Sequence, residues 1–193
     1  MTDPIQTNAS SRGSLAGDEA IARVPLVCDE DAPPVLASVF AQIRARGGEP
    51  NNMHRAVANA PDAAAAYFEL AWTLRRDDHV PRSLRELAIL RTLQLENGEY
   101  EFRAHARMAR QHGVVDEQID ALQNWTTSDL YSAEQRAVLG WVEGMATKEG
   151  PGPASVEAMV RIFDPHAIVE ITLTSAFYMM SARTTKALAV KPT

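Results

Sequence analysis

Residues 82–114, RSLRELAILRTLQLENGEYEFRAHARMARQHGV, constrain the fold more than any other part of the chain. On a helix over 82–96, Leu84, Leu87, Ala88 and Arg91 lie along one side. Ile89, Leu90, Leu93 and Leu95 widen the apolar surface well beyond a narrow stripe. A helix that is apolar on most sides has to be surrounded, so this one belongs at the centre of a helical assembly. Asn97-Gly98 then stops it, since both residues tolerate the left-handed conformation of a helix C-terminus. A second helix runs from about Tyr100 to His112, and Gly113 ends it. The stretch is a helical hairpin whose first arm is buried.

Helical signals continue on both sides, and no segment reads as a convincing strand. APPVLASVFAQIRARGG, residues 32–48, opens with prolines suited to a first turn and closes with glycines suited to a C-cap. NNMHRAVANAP is expected to form a short helix closed by Pro61, and DAAAAYFELAWTLRR a helix with Asp62 as N-cap. A further short helix begins near Asp116, and Ser132 and Gln135 are spaced as a capping box ahead of Ala137, Val138, Trp141, Val142 and Met145. The Pro-Gly-Pro at 151–153 breaks the chain before ASVEAMVRIFD and a long last helix from Pro165 to about Leu188. With short loops and no internal period, the expected fold is all-α, built of antiparallel helical hairpins in a single domain. Residues 1–30 are expected to be a flexible N-terminal arm, and 31–193 the helical domain.

Bulk properties narrow the function. A chain of 193 residues, 46% apolar and 23% charged, is globular and long enough for one well-filled core. Its net charge of −6 argues against nucleic acid or anionic membrane as partners. The weak excess of arginine over glutamate in 82–112 does not reverse that. Cys28 is alone, which excludes an intrachain disulfide, a C-x-x-C redox pair and a cysteine-rich zinc site. A lone cysteine suits a reducing cytoplasm, and Cys28 is expected to be a small apolar residue near a helix start. The polar N-terminus has no basic region followed by an apolar core, so it is not a secretory signal. Residues 167–182, AIVEITLTSAFYMMSA, are too short for a span and carry Glu170; a helix buried in a core or subunit interface fits better.

One group of residues in the hairpin carries chemistry. A helix advances about 100° per residue, so Glu101, His105, Met108 and His112 share a side. Glu101, one turn before His105, is expected to fix the imidazole tautomer and raise its pKa. Glu86 on the preceding antiparallel helix approaches the same imidazole if the hairpin is tight. Arg82, Arg85 and Arg91 flank Glu86 and supply guanidinium forks suited to an anionic substrate. The bland alternative is a solvated Glu–His pair with surface arginines. Metal ligation by Glu101, His105 and His112 is less favoured, because no H-E-x-x-H or comparable arrangement is present.

The pattern R-E-x-A-I-L-R, a turn, then Y-E-x-x-x-H followed by A-x-M-A resembles the central signature of the carboxymuconolactone decarboxylase family, whose relatives include the alkylhydroperoxidase-D-like proteins. IVEITLTSAFYMMSARTTKAL resembles the last helix of the longer members. In the peroxidase branch the resemblance implies a C-x-x-C pair before the histidine and a glutamate upstream. The histidine then falls on His105 and the glutamate on Glu86, but the cysteine positions fall on Gly98 and Glu101. Thiol peroxidase chemistry is therefore excluded at this site for want of a sulfur nucleophile.

The decarboxylase branch does without the cysteines. Its reaction implies a proton donor, here His105, with Glu101 and Glu86 setting its protonation. Arg82, Arg85, Arg91, Arg103 and Tyr100 are then the candidates for binding the substrate. The leading expectation is a lyase or isomerase, needing no metal or organic cofactor, that acts by proton transfer on a small anionic lactone or unsaturated acid of the aromatic-catabolism type. The resemblance also implies a homo-oligomer, trimer or hexamer, with Tyr67, Phe68, Trp72 and the last helix as interface or core residues. The alternative is a noncatalytic oligomeric small-molecule-binding protein, favoured if an aromatic ring plugs the space over His105.

Overall fold

In the computed structural model, residues 20–76 and 79–193 are described. Among them are nine α-helices and no strand: α1 (Pro34–Ala45), α2 (Asn52–Val57), α3 (Pro61–Arg75), α4 (Arg82–Leu95), α5 (Glu99–Gln111), α6 (Asp116–Ala121), α7 (Ala133–Met145), α8 (Pro153–Ile162) and α9 (Pro165–Ala187). A 3-10 turn, Leu122–Thr127, follows α6.

α4 is the central element. Every residue from Leu84 to Leu93 is buried, and α5, α7 and α9 pack around it. One side of α4 joins Leu87 and Leu90 to Ala106, Ala109, Leu122 and Leu139. Another joins Leu84 and Ala88 to Val138, Val142 and Ile171, and a third joins Ile89 and Leu93 to Phe177 and Ala182. α1 packs on α3 through Leu36, Phe40 and Phe68 in a separate apolar layer.

The α4–α5 turn explains why Asn97 and Gly98 stand where they do. Asn97 takes the left-handed conformation, φ 51°, and its N–H donates to the Gln94 carbonyl. The Gly98 N–H donates to the Leu93 carbonyl at 2.7 Å, which completes a Schellman closure. Gly98 itself has an ordinary φ of −89°. It is small for a different reason: a Cβ there would lie 3.0 Å from both Ala182 Cβ and Leu93 Cδ2, so the turn rests directly on α9.

Several expectations are corrected. Pro61 opens α3 instead of closing α2, which has already ended at Val57, and the N-cap is Ala60 rather than Asp62. Proline suits that first position because its missing N–H would have had no helical partner. Cys28 is exposed, its thiol 2.8 Å from Asp31 Oδ2, so it is not an apolar core residue. Of the expected arm, residues 1–19 lie outside the described residues. The adjoining stretch is tied down: the Arg23 N–H donates to the Leu188 carbonyl, the Lys191 N–H to Ile21, and the Val27 N–H to Arg55. The Ser132 capping box forms as expected.

α9 buries one face, from Ala167 and Ile171 to Tyr178, Ala182 and Thr185, and leaves Val169, Leu173 and Met180 exposed on the other. Among the described residues no helix is long and apolar enough to cross a membrane.

Candidate active site

The close α4–α5 hairpin sets Glu86 against His105. Both are buried, at 0% and 3% exposure, and His105 Nδ1 is 2.8 Å from Glu86 Oε2. Arg82, one turn before Glu86 on α4, places Nη2 2.6 Å from Glu86 Oε1. Burial works against the Glu86 carboxylate, but the hydrogen bond from His105 and the adjacent charges more than offset it and hold the group below its ordinary value. Burial also disfavours the imidazolium, and here it outweighs Glu86, so the His105 pKa is lowered. The pair therefore rests as an ionised Glu86 accepting from a neutral His105 that carries its proton on Nδ1. Nε2 is then the basic nitrogen.

His105 borders a cavity of about 800 Å³ lined by residues of α2, α3, α5, α9 and the C-terminal tail. Tyr178 of α9 packs edge-on against the imidazole, with ring centroids 4.6 Å apart and planes at 80°. Its Oη accepts from Arg75 Nε at 3.2 Å, which leaves the phenol hydrogen available as a donor. Burial raises the Tyr178 pKa and keeps that hydrogen in place. Arg75, from the end of α3, borders the cavity together with Arg103, Arg107 and Lys186. Four cations thus share the lining with the carboxylates of Glu99 and Glu101.

The expected residues divide. Glu86, His105 and Arg82 come together, and Tyr100 and Arg103 border the cavity. Tyr100 Oη accepts the Met53 N–H at 3.4 Å. Glu101 also borders the cavity but is not hydrogen-bonded to His105. Its Oε1 accepts from Ser181 Oγ at 2.8 Å and Thr185 Oγ1 at 2.9 Å, so α9, rather than the next turn of α5, holds it. The carboxylate that sets the tautomer is therefore Glu86, and the imidazole pKa is lowered instead of raised.

Arg85 and Arg91 lie outside the cavity. They project from α4 about 100° and 140° away from Glu86, by helical rotation. Arg85, 1% exposed, donates to the Leu74 carbonyl and to Glu170, tying the end of α3 to α9. Arg91 binds Glu143, which also accepts from Trp125. His112, on the same side of α5 in projection, is exposed at the helix end and does not border the cavity. Phe68 is a core residue, while Tyr67 and Trp72 are partly buried along the cavity wall. Among the described residues no three His, Cys, Asp or Glu side chains gather as a metal cluster.

Sequence reasoning missed Arg75, Tyr178 and His54. Nothing in local spacing links α3, α9 or α2 to His105. Tyr178 sits in the stretch SAFYMMSA, which reads as apolar core, and only tertiary packing brings it to the imidazole.

Residues 61–144, α3 to α7, match the model of the carboxymuconolactone decarboxylase family. That span includes Arg75, Glu86 and His105 but not His54 or Tyr178. No curated protein matches the sequence. Solved structures share the fold. An uncharacterized peroxidase-related protein from Ralstonia eutropha JMP134, described as an alkylhydroperoxidase AhpD core, superposes with TM-score 0.77 at 21% identity, over 90% of this chain and 93% of that one. The debrominase Bmp8 superposes with TM-score 0.75 at 19% identity, over 92% and 94%. A Bmp8 variant with one cysteine replaced by alanine is known in complex with 2,3,4-tribromopyrrole. A peroxidase-related protein from Silicibacter sp. TM1040 reaches TM-score 0.76 at 18% identity, over 93% and 96%.

Proposed function

Starting from a chain that matches the carboxymuconolactone decarboxylase family over residues 61–144 and has an AhpD-like fold, we propose a cofactor-independent enzyme acting by proton transfer on a small anionic lactone or unsaturated acid. The observation that carries this reading is the buried Glu86–His105 hydrogen bond, 2.8 Å, with His105 in the wall of a cavity that arginines also line. His105 Nε2 takes a proton from the carbon conjugated to the substrate carbonyl. The C–H electron pair moves onto the carbonyl oxygen as an enolate, and the imidazolium formed is paired with Glu86. Return of the proton at another carbon shifts the double bond. In a decarboxylation the carboxylate C–C bond breaks instead, CO2 leaves, and the enolate takes its proton from an imidazolium recharged by solvent. A resting imidazole that is neutral favours the first course. Arg75 holds the substrate carboxylate, and Tyr178 donates to the developing oxyanion.

Thiol chemistry has little support at this cavity. No cysteine borders it, and the peroxidase and debrominase relatives are similar at the level of fold. One observation favours a noncatalytic binding protein: the Tyr178 ring lies against the His105 imidazole and covers part of it. Screening of lactones and unsaturated acids against the wild type and His105→Gln separates the two. The enzyme reading expects turnover to fall by about 100-fold or more in the variant with binding retained. Binding without turnover in the wild type, or turnover within about threefold in the variant, contradicts it.

A further inference from the structure

A second imidazole borders the same cavity, and its protonation is fixed by the backbone. His54 is the third residue of α2, and its main-chain N–H donates to Asn51 Oδ1 at 3.0 Å. In return, the Asn51 N–H donates to His54 Nδ1 at 2.9 Å. A tautomer ordinarily has to be inferred from ambiguous partners. Here the partner is a backbone N–H, which can only donate, so Nδ1 is the bare nitrogen and the proton sits on Nε2. Protonating Nδ1 would set N–H against N–H and break the cap.

The rest of the surroundings agree. The ring packs on Phe68 with centroids 5.0 Å apart, and burial, reinforced by the Arg75 and Arg55 charges, lowers the His54 pKa to about 4. His54 is therefore a neutral donor at physiological pH. His105 is of opposite polarity, because Glu86 takes its Nδ1 hydrogen and leaves Nε2 as an acceptor. One cavity thus holds one accepting and one donating imidazole, the first set by Glu86, which does not border the cavity, and the second by the main-chain N–H of Asn51.

We propose that His54 recognises a ligand carbonyl oxygen through its Nε2 hydrogen, so that the cavity selects anionic ligands bearing a lactone or ketone carbonyl over isosteres that lack one. This deepens the proton-transfer reading and rests on it for the reaction: the enolate that His105 would generate places charge on that carbonyl oxygen. A neutral imidazole can donate to the enolate without becoming the proton source itself.

The test separates recognition from capping. Glutamate and glutamine are both ordinary residues at this position of a capping box and accept the Asn51 N–H. His54→Gln keeps a donor for the cavity, whereas His54→Glu keeps the cap but offers only acceptors. Two probes are compared by calorimetry or ligand NMR: γ-butyrolactone carboxylate, and tetrahydrofuran carboxylate, which lacks only the carbonyl oxygen. Because both are anions, the charge introduced by glutamate cancels in the ratio of affinities. The wild type and His54→Gln are expected to prefer the lactone by about fivefold to tenfold, the usual worth of one hydrogen bond. In His54→Glu the ratio is expected to fall to about one. An unchanged ratio in His54→Glu overturns the proposal, as does equal affinity for the two probes or binding of neither by the wild type at millimolar concentration. His105→Gln is expected to leave the ratio intact while abolishing hydrogen–deuterium exchange on an unsaturated lactone acid. Failure of the catalytic reading is thus visible separately from failure of this one.

Discussion

Replacing Glu86 by glutamine tests the proposed base while preserving its shape. The carboxylate is fully buried, accepts from His105 at 2.8 Å, and faces Arg82 at 2.6 Å. If the amide oxygen turns to His105, the amide N–H groups turn to Arg82, and the imidazolium formed on proton uptake has no counter-charge. If the amide N–H groups turn to His105, the tautomer reverses and Nε2 becomes a donor. Both orientations weaken the base. A buried hydrogen bond to a charged group contributes about 1.5–3 kcal/mol, which corresponds to roughly 10- to 100-fold in rate. The assay is hydrogen–deuterium exchange at carbon on an unsaturated γ-lactone carrying a carboxylate, with circular dichroism confirming the fold. Affinity for the probe is expected to change by less than about threefold, since Glu86 does not border the cavity. An exchange rate in folded Glu86→Gln within about threefold of the wild type would refute the reasoning.

Three further outcomes follow from the same geometry. Arg75→Leu removes a cation at the cavity and the donor to Tyr178, so affinity for anionic probes should fall by about tenfold or more in calorimetry, while a neutral lactone loses little. Gly98→Ala has an allowed backbone but sets a Cβ 3.0 Å from Ala182 and Leu93, so urea unfolding should show a loss of about 1–3 kcal/mol. For His54 the folded pKa lies below the unfolded one, so the unfolded chain binds the proton first as pH falls. Stability present above pH 6.5 is lost down to about pH 4, by about 3 kcal/mol, and His54→Gln should lose correspondingly less over that window.

The central hairpin was legible because its signals are local. The apolar breadth of 82–96 announces a buried helix, Asn97 supplies the left-handed residue that ends it, and Ser132 with Gln135 spells out a cap. Pro61 is ambiguous in the sequence because proline both ends and begins helices, and local sequence does not say which. Glu86 and His105 were legible as a pair because a tight hairpin leaves them little choice of neighbour.

The other carboxylate was not legible. Glu101 and His105 share a side of α5, yet Ser181 and Thr185 on a helix some 80 residues away take Glu101 instead. Arg85 and Arg91 show the same limit, since their partners Glu170 and Glu143 lie on α9 and α7. Arg75, Tyr178 and His54 reach the cavity from three elements whose local patterns carry no mark of it.

The proposed proton transfer depends on the state of one imidazole, and proton–nitrogen correlation NMR of histidine-labelled protein reads that state directly. At pH 6.5, where an unperturbed histidine is half protonated, His105 is expected to be neutral with its hydrogen on Nδ1, and the assignment should vanish in His105→Gln. A doubly protonated ring at that pH, or a hydrogen on Nε2, would contradict the account, because neither species has a lone pair with which to accept a proton from the cavity.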